Sequence, residues 1–370
     1  MDIYNELYHH KAVNATKAQF LYKKITYCFL PVLGIKCRQS QFMEDTPVKK
    51  IKIYGTDIET YPLALGTAGF GDRVTEAEAH RQLDGFTDCG GAIVDTAHIY
   101  GGEDSKAEKY IGSWLKNSGK RDKIFLSTKG AHPRFATMNI SRLSKDEILS
   151  DLDGSLKFLN TDHIDLYFLH RDDEKLPVGD MLETLEEQRR KGKILAYGCS
   201  NWKPYRMKLA DEYAKEHGLQ GFTFNQLMWS LADINTPNVG DKTLCLMDEE
   251  TLAYHKDTGK TAMAFTSIAY GYFTKRQQGI RHSTAWGNDI EPMYDTENNT
   301  KIFERLLELC DGNRTVMDYC LAFFQGHDFP AVPLAGFSKF EQFEDTIKLF
   351  EKDFDEEILR ELAAMKRYDY

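Results

Sequence analysis

The turn after the first predicted barrel strand reads Gly66-Thr67-Ala68-Gly69-Phe70-Gly71, and it decides between two folds. An open nucleotide-binding sheet would carry Gly-x-Gly-x-x-Gly at this point, with an acidic residue about 20 residues further on. The three glycines of this turn do not have that spacing. The turn therefore favours the other layout open to parallel strands, a closed barrel.

Outward from this turn, short apolar strands alternate with amphipathic helices, as in repeated β/α units. The eight predicted strands are Leu63–Leu65, Ala92–Asp95, Ile124–Thr128, Ile164–Leu169, Ile194–Ser200, Phe222–Gln226, Ala262–Ser267 and Ala331–Leu334. Two earlier strands, Val48–Tyr54 and Asp57–Tyr61, predict a hairpin turning at Gly55-Thr56, expected at the opposite end from the functional groups. The fold class is thus α/β, a (β/α)8 TIM barrel with an N-terminal β-hairpin and extra C-terminal helices.

Helix start and stop signals separate the strands. Capping-box pairs, in which a hydroxyl and a carboxylate satisfy free helix N–H groups, are expected at Thr75–Glu78, Ser105–Glu108, Ser144–Glu147 and Ser338–Glu341. Further helices are predicted over Leu176–Lys191, Pro204–His217, Thr243–His255, Thr300–Leu309, Arg314–Gln325 and Asp355–Lys366. Left-handed glycines should end helices at Gly90, Gly119, Gly192 and Gly218.

The net charge and the cysteine and histidine patterns disfavour nucleic-acid-binding, disulfide-linked and metal-dependent proteins. The chain has 370 residues and a formal net charge of -10, which disfavours a nucleic-acid partner, because such partners bind a basic face. Its seven cysteines include no Cys-x-x-Cys pair and are read as reduced thiols of a cytoplasmic protein. No His-x-His or His-Glu-x-x-His motif occurs, so no metal is expected.

The first 42 residues differ from the rest. Their apolar stretch, 25–35, is interrupted by Pro31 and is too short to span a bilayer, so no membrane partner is expected. We interpret residues 1–42 as a disordered extension or as translation from upstream of a start at Met43, with a signal peptide as the alternative. Residues 43–370 are then the barrel domain.

Chemistry concentrates where the predicted strands end. Asp95 and Lys129 end neighbouring strands and should form an ion pair, because charges at a barrel rim are costly unless paired. Tyr100 follows five residues after Asp95, and a nearby ammonium lowers the pKa of a phenol. His170 can share a proton with that phenol or orient a substrate oxygen. Together they predict a general acid directed at a carbonyl oxygen, although a purely structural ion pair is the alternative.

Four segments resemble motifs of the aldo-keto reductase family. They read Val94-Asp95-Thr96-Ala97-His98-Ile99-Tyr100-Gly101, Ser127-Thr128-Lys129, Asp165-Leu166-Tyr167-Phe168-Leu169-His170-Arg171 and Gly192-Lys193-Ile194-Leu195-Ala196-Tyr197-Gly198-Cys199-Ser200-Asn201. They occur in the family's order, and the resemblance runs from about Ile51 to the C-terminus. It implies hydride transfer between a nicotinamide cofactor and an aldehyde, a ketone or the corresponding alcohol or sugar, with Tyr100 as the proton donor.

The resemblance also assigns residues. The implied catalytic residues are Asp95, Tyr100, Lys129 and His170. The implied cofactor residues are Gly66, Thr67 and Ala68 near the nicotinamide ribose, with Asp95; Ser200, Asn201 and Gln226 at the carboxamide; Ser267 and Gly271 at the pyrophosphate; and Gly336, Ser338, Lys339, Gln342 and Asp345 at the adenosine end. The candidate substrate pocket contains His98 and Trp202, with Trp229 and Trp286 as weaker candidates.

The adenosine end departs from the family pattern. Many relatives have an arginine near the position of Ser338 or Gln342 to bind a 2′-phosphate, whereas only Lys339 is basic here. Lysine neutralises a phosphate without the two-pronged grip of arginine. NADP(H) is therefore expected, with NAD(H) as an alternative. A competing function is that of a cofactor-binding redox sensor or auxiliary subunit with little catalysis.

Overall fold

A computed structural model describes residues 50–285 and 287–370 of the chain. Its strands are β1 (Ile51–Lys52), β2 (Glu59–Thr60), β3 (Ala64–Gly66), β4 (Ile93–Asp95), β5 (Phe125–Gly130), β6 (Ile164–Leu169), β7 (Ile194–Ser200), β8 (Phe224–Met228), β9 (Thr261–Phe265), β10 (Thr284–Ala285), β11 (Asn288–Asp289) and β12 (Ala331–Ala335). Strands β3–β9 and β12 pair in parallel and close into one barrel, with β12 between β9 and β3. The predicted (β/α)8 barrel is confirmed.

The barrel interior is filled from one end by the hairpin of β1 and β2. Ile53 and Ile58, in the turn between these strands, are buried in the same cluster as the inward-facing residues Leu166 and Phe168 of β6. The main-chain N–H of Tyr54 donates to Oγ1 of Thr261, the first residue of β9, at 3.0 Å. The hairpin therefore closes the N-terminal end of the barrel and leaves the C-terminal strand ends for a functional site, as predicted.

Helices surround the barrel wherever amphipathic segments follow a strand. They are α1 (Glu76–Asp88), α2 (Lys106–Ser118), α3 (Lys145–Phe158), α4 (Val178–Arg190), α5 (Pro204–His217), α6 (Glu249–Thr258), α7 (Tyr272–Gln277), α8 (Ile290–Tyr294), α9 (Glu297–Leu309), α10 (Val316–Ala322), α11 (Phe340–Ile347) and α12 (Glu356–Met365). The helix predicted from Thr243 instead begins at Glu249, where Asp248 accepts the N–H of Thr251 as the N-cap. None of the described helices combines the length and apolar character needed to cross a membrane.

At two of the four predicted capping boxes the structure shows the bond to the N-cap hydroxyl but not the returning contact of the carboxylate to the N-cap N–H. Thr75 and Ser144 accept the main-chain N–H of the residue three positions later. The prediction for Ser105 is wrong: its φ is 53°, and its hydroxyl donates to the carbonyl of His98 at 2.5 Å. The prediction for Ser338 is also wrong, because α11 starts at Phe340 with Lys339 as the N-cap.

Glycines end the helices where predicted. Gly90, Gly119, Gly192 and Gly218 have φ values of 84°, 65°, 75° and 64°. Residues with a side chain rarely adopt this left-handed conformation. The interpretation of residues 1–42 as an extension lies outside the described residues and stays a prediction.

Candidate active site

A buried ion pair lies at the C-terminal ends of two neighbouring barrel strands. Asp95 ends β4 and Lys129 is the fifth residue of β5, and their side chains are 1% and 0% exposed. The ammonium of Lys129 lies 2.6 Å from Oδ2 of Asp95 and also donates to the carbonyl of Thr96 at 2.7 Å. The ion pair that the strand ends predicted is present.

The second carboxylate oxygen of Asp95 is also engaged. Its Oδ1 accepts from the hydroxyl of Ser127 at 2.7 Å and from the side-chain amide of Gln226 at 2.9 Å. Gln226 lies on β8, so this contact spans the barrel mouth. Both oxygens are thus hydrogen-bonded in a site that excludes water, where unpaired polar groups are costly.

Tyr100 joins this pair from the loop after β4. The Lys129 ammonium lies 5.0 Å from the centre of the Tyr100 ring. Burial lowers the pKa of Lys129, but the Asp95 carboxylate and the Tyr100 phenol outweigh that effect, and the pKa is raised above its ordinary value. Lys129 therefore stays charged beside the phenol.

His170 also packs against Tyr100. The two ring centres are 5.9 Å apart with the rings nearly perpendicular. Burial, with the nearby His132, Arg171 and Lys129, holds the pKa of His170 well below its ordinary value. Its Nδ1 is buried and finds no hydrogen-bond partner among the described residues. His170 is accordingly neutral at the mouth of the barrel.

Two further residues at this mouth were not assigned a role from the sequence. The ring of His132 lies 4.6 Å from that of His170, and burial, followed by the charge of Arg171, lowers its pKa to about 4. Arg171 pairs with Asp241 at 3.2 Å. His132 stands only three residues after Lys129. Extending the strand-end search by a few residues would have found it.

The predicted carboxamide residues meet at the ends of β7 and β8. Ser200 and Gln226 are directly paired in the strand register. Asn201 has a φ of 60° and its amide nitrogen donates to the Ser200 hydroxyl at 3.1 Å. Its amide oxygen accepts the N–H of Cys245 at 3.1 Å. The side chain of Asn201 is therefore held by the protein on both sides.

The loop after β9 carries a concentrated set of left-handed residues. Thr266, Ala269, Tyr270 and Gly271 have φ values of 53°, 49°, 54° and 76°. Such backbone is strained in residues with a side chain, and strain of this kind clusters at ligand sites. Ser267 in the same loop donates its hydroxyl to the carbonyl of Leu334 on β12 at 2.7 Å.

Lys275 is another residue to which the sequence assigned no role. Its Cε lies 3.9 Å from where a Cβ of Gly271 would stand, which puts the side chain against the strained loop. Partial burial lowers its pKa. The sequence signal is weak, because Lys275 is one of two basic residues in the last turn of the six-residue helix α7.

The ends of β3 and β12 approach each other closely. A Cβ on Gly336 would lie 3.0 Å from the carbonyl oxygen of Gly66, so position 336 favours glycine. Thr67 donates its hydroxyl to the carbonyl of Asp95 at 2.9 Å. Ala68 follows in the same turn and is half-buried. The turn quoted at the outset thus opens directly onto the ion pair.

The predicted adenosine-end residues lie exposed around the start of α11. The side chain of Gln342 accepts the main-chain N–H of Ser338 at 3.2 Å. Asp345 pairs with Lys348 at 2.7 Å. The exposed Lys339 forms no ion pair within the part of the chain that the structure describes.

A cation from another helix reaches the same end of the barrel. Arg81 of α1 holds its guanidinium 4.6 Å from the centre of the ring of Phe340, the first residue of α11. Arg81 also pairs with Glu78 on its own helix at 3.2 Å. The sequence did not indicate this neighbour, because α1 and α11 are more than 250 positions apart.

The two predicted substrate-pocket residues point away from the mouth. Trp202 is 0% exposed, and its indole N–H donates to the carbonyl of Arg171 at 3.2 Å. His98 directs Nδ1 to Glu108, 3.1 Å away on α2. Both side chains pack behind the strand ends, and their assignment to the substrate pocket stays a prediction. Trp229 is likewise buried, and Trp286 lies outside the described residues.

A metal site in the described residues would need a cluster of side chains of the kind that bind metal ions. Across residues 50–285 and 287–370, no group of three or more His, Cys, Asp or Glu side chains is arranged to hold a metal ion. The groups that meet at the mouth are the phenol of Tyr100, the Lys129–Asp95 ion pair and the neutral imidazoles of His132 and His170.

Comparison with known proteins agrees with this geometry. A sequence model of the Aldo/keto reductase family matches residues 62–367. The uncharacterized oxidoreductase YrpG of Bacillus subtilis is 31% identical over 319 residues, 83% of this chain and 92% of that protein. The aldo-keto reductase YhdN of the same species is 30% identical over 245 residues, 64% of this chain and 67% of that protein. The norsolorinic acid reductase of Aspergillus flavus is 25% identical over 332 residues, 84% of this chain and 79% of that protein. This chain belongs to the aldo/keto reductase family and is an oxidoreductase.

Proposed function

We propose that this enzyme uses NAD(P)H to reduce small aldehydes or ketones, or runs in reverse on the corresponding alcohols or sugars, with Tyr100 as the proton donor. The single observation that carries the proposal is the charged Lys129 ammonium 5.0 Å from the centre of the Tyr100 ring, with the ring of the neutral His170 centred 5.9 Å from that of Tyr100. A phenol donates a proton readily only where its anion is stabilised.

The donor set fits a nicotinamide dinucleotide. The close approach of Gly336 to the carbonyl of Gly66 leaves bare backbone at the mouth. The loop Thr266–Gly271 holds four left-handed residues, a backbone form that can direct main-chain N–H groups at an anion, and the N–H groups of Ala269 and Gly271 are bonded to carbonyls within the loop. We assign the carboxamide to Ser200, Asn201 and Gln226, and the ribose side to Gly66, Thr67, Ala68 and Asp95. The pyrophosphate is assigned to Ser267, Gly271 and Lys275. When bound, the nicotinamide supplies the hydride.

The protein's own residues then manage charge. Asp95 keeps Lys129 protonated, as the raised pKa of Lys129 indicates. Lys129 stabilises the phenolate left when Tyr100 gives its proton to the substrate oxygen. The neutral His170 orients that oxygen by a hydrogen bond, because an uncharged imidazole can donate and accept. Burial of the ion pair strengthens each of these interactions.

NADP(H) is the cofactor form we propose, with NAD(H) as an alternative. Lys339 and Arg81 are the two cations at the start of α11, and each could neutralise a 2′-phosphate. Gly336, Ser338, Gln342 and Asp345 would complete the adenosine site. We propose a cytoplasmic location, because the seven cysteines of the sequence include no Cys-x-x-Cys pair.

Tyr100→Phe tests the proton donor. This variant should bind NADPH with unchanged affinity, measured by quenching of protein fluorescence, and lose at least about 99% of turnover on a panel of aldehydes and sugars. Tyr205→Phe, at a residue 42% exposed on α5, is the control and should behave as wild type. Hydride transfer at the wild-type rate in Tyr100→Phe, measured by stopped flow, would remove Tyr100 from its role.

Lys339→Ala tests the cofactor form. The affinity for NADPH should fall about tenfold more than the affinity for NADH, because one phosphate contact is worth roughly 1–2 kcal/mol. Lys301→Ala, an exposed lysine of α9, should change neither affinity. Equal losses for the two cofactors would argue against a phosphate contact. Cofactor binding without turnover of any compound in the panel would instead favour a redox sensor or auxiliary subunit.

A further inference from the structure

A buried cluster of charged side chains lies behind the barrel wall, between α2 and α3. It contains Glu108, Asp151, Arg142 and His98, with the two carboxylates 0% and 4% exposed. Glu108 accepts from Thr128 of β5 at 2.7 Å. Asp151 accepts from both terminal nitrogens of Arg142, at 2.9 and 2.7 Å. Arg142 also lies 3.6 Å from Glu147, so it is shared between two carboxylates, and a second cation would balance the buried charge of Glu108.

His98 is placed to be that second cation. Its Nδ1 lies 3.1 Å from Oε2 of Glu108 and 3.2 Å from the hydroxyl of Ser155. Its ring stacks on that of Phe158, whose ring lies 4.8 Å from the ammonium of Lys109. The imidazole thus joins α2 and α3.

The cluster holds the loop that carries Tyr100. The main-chain N–H of His98 donates to the carbonyl of Lys129 at 2.9 Å, and its carbonyl accepts from Ser105 at 2.5 Å. Tyr100 comes only two residues later, so the direction of its ring depends on where this segment is fixed. His98 is the residue of the segment whose side chain is tied to Glu108.

The same cluster also holds the loop that carries His132. Asp151 accepts the N–H of Ala131, whose φ is 62°, at 2.8 Å. Arg142 donates to the carbonyl of His132 at 3.0 Å. Because the rings of both Tyr100 and His132 pack on His170, one set of buried charges fixes the surroundings of His170 from two sides.

We propose that His98 is a positioning residue: as an imidazolium between Glu108 and Asp151, it fixes the Tyr100 loop and the His132 loop for proton transfer. The catalytic part of this proposal rests on the proposed function, whereas the structural part does not. His98 touches no reacting group, and it acts through the position of Tyr100.

The charge of His98 gives the proposal a pH dependence. Burial lowers the pKa of His98, but its hydrogen bond with Glu108 and the charges of Glu108 and Asp151 outweigh burial and the opposing Arg142, so the pKa is raised. Tyr167 of β6 also faces this cluster, and burial raises its pKa, so it stays neutral. Because the pKa of His98 is higher in the folded protein than in the unfolded chain, its ionic contact with Glu108 is fully formed below pH 6.5 and is lost as pH rises through the folded-state pKa.

His98→Asn is the variant that separates charge from shape. The asparagine amide can take the place of Nδ1 and still donate to Glu108, but it carries no charge. In hydrogen-exchange mass spectrometry of the full chain, we expect at least tenfold faster exchange in residues 96–105 and 131–142. His163→Asn is the matched control, because His163 lies beside Asp162 in the surface turn before β6. Equal protection in His98→Asn and wild type would overturn the structural part.

Kinetics test the catalytic part with NADPH and the aldehyde that wild type turns over fastest. For His98→Asn, kcat should fall about ten- to hundredfold while KM for NADPH is unchanged, as expected for a misplaced catalytic group. The decline of wild-type kcat above pH 6.5 should be lost in the variant. A pH profile and a kcat equal to those of wild type would refute positioning, since a purely structural residue would not shift the profile.

An NMR titration, which does not depend on enzyme activity, separates the proposal for His98 from the proposed function. With ¹³C-histidine labelling, the NMR signal of His98 is the one missing in His98→Asn, and it should titrate above pH 6.5 in wild type. If that variant fails to fold, His98→Gln serves for the assignment. Titration at or below 6.5 would overturn the inference. A third outcome is possible, in which His98 titrates above pH 6.5 and His98→Asn exchanges faster in both loops, but wild type turns over no carbonyl compound. That outcome would refute the proposed function and leave the structural part of this inference standing.

Discussion

Replacing Lys129 by methionine is expected to lower the free energy of unfolding by about 3–5 kcal/mol, because a buried charge would lose its partner. Asp95 would remain 1% exposed without the ammonium now 2.6 Å away. Asp95 keeps its hydrogen bonds from Ser127 and Gln226, at 2.7 and 2.9 Å, and these partly compensate its buried charge. We therefore expect a loss of unfolding free energy near the lower end of the range, about 3 kcal/mol.

The converse variant, Asp95→Asn, should cost more. It leaves the ammonium of Lys129 with the carbonyl of Thr96 as its remaining full-strength acceptor, which points to the upper figure, about 5 kcal/mol. The double variant Lys129→Met/Asp95→Asn removes both charges and should cost less than the sum of the two single losses by at least about 2 kcal/mol.

Urea unfolding followed by far-ultraviolet circular dichroism at pH 7 measures all three variants. Lys301→Met is the control, because this lysine forms an exposed pair with Glu297 on α9. It should unfold at the wild-type midpoint. Two results would refute the reasoning that Lys129 and Asp95 are energetically coupled and shielded from water. One is a loss of unfolding free energy in the double variant equal to the sum of the two single losses, and the other is a Lys129→Met midpoint equal to that of wild type.

Two further predictions concern packing and pH. Burial lowers the pKa of His255 to about 4, so the stability that its neutral form contributes is complete above pH 6.5 and is lost as pH falls toward 4. The variant His255→Asn should therefore lose about 3 kcal/mol less free energy of unfolding than wild type between pH 7 and pH 4. An equal loss in variant and wild type, measured by urea unfolding at the two pH values, would contradict this prediction. Gly112→Ala should cost about 3 kcal/mol in the same assay, because its Cβ would lie 2.0 Å from the carbonyl oxygen of Phe158, whereas Gly312→Ala, with no atom within 4 Å, should be neutral. Equal midpoints for the two alanine variants would disprove the steric argument.

Much of the fold follows from local sequence. Apolar strands, helix caps and left-handed glycines are short-range features, and the closed barrel was the layout that remained when the turn at Gly66 lacked a nucleotide-binding spacing. Strand ends are also local, so Asp95, Lys129 and His170 could be predicted to share one mouth. The capping box at Ser105 failed because its left-handed backbone leaves its hydroxyl bonded to the carbonyl of His98, and the one at Ser338 failed because Lys339 is the N-cap of α11.

The sequence by itself determined the order of strands and helices and the set of ionisable residues at one end of the barrel, because both depend on neighbours a few positions apart. Only the tertiary structure decided which way each side chain faces. His98 and Trp202 stand beside strand ends in the sequence, yet they pack behind the barrel wall, where distant helices supply their partners. His132 turns inward for the same reason, since Asp151 and Arg142 fix its loop from another helix and its preceding segment.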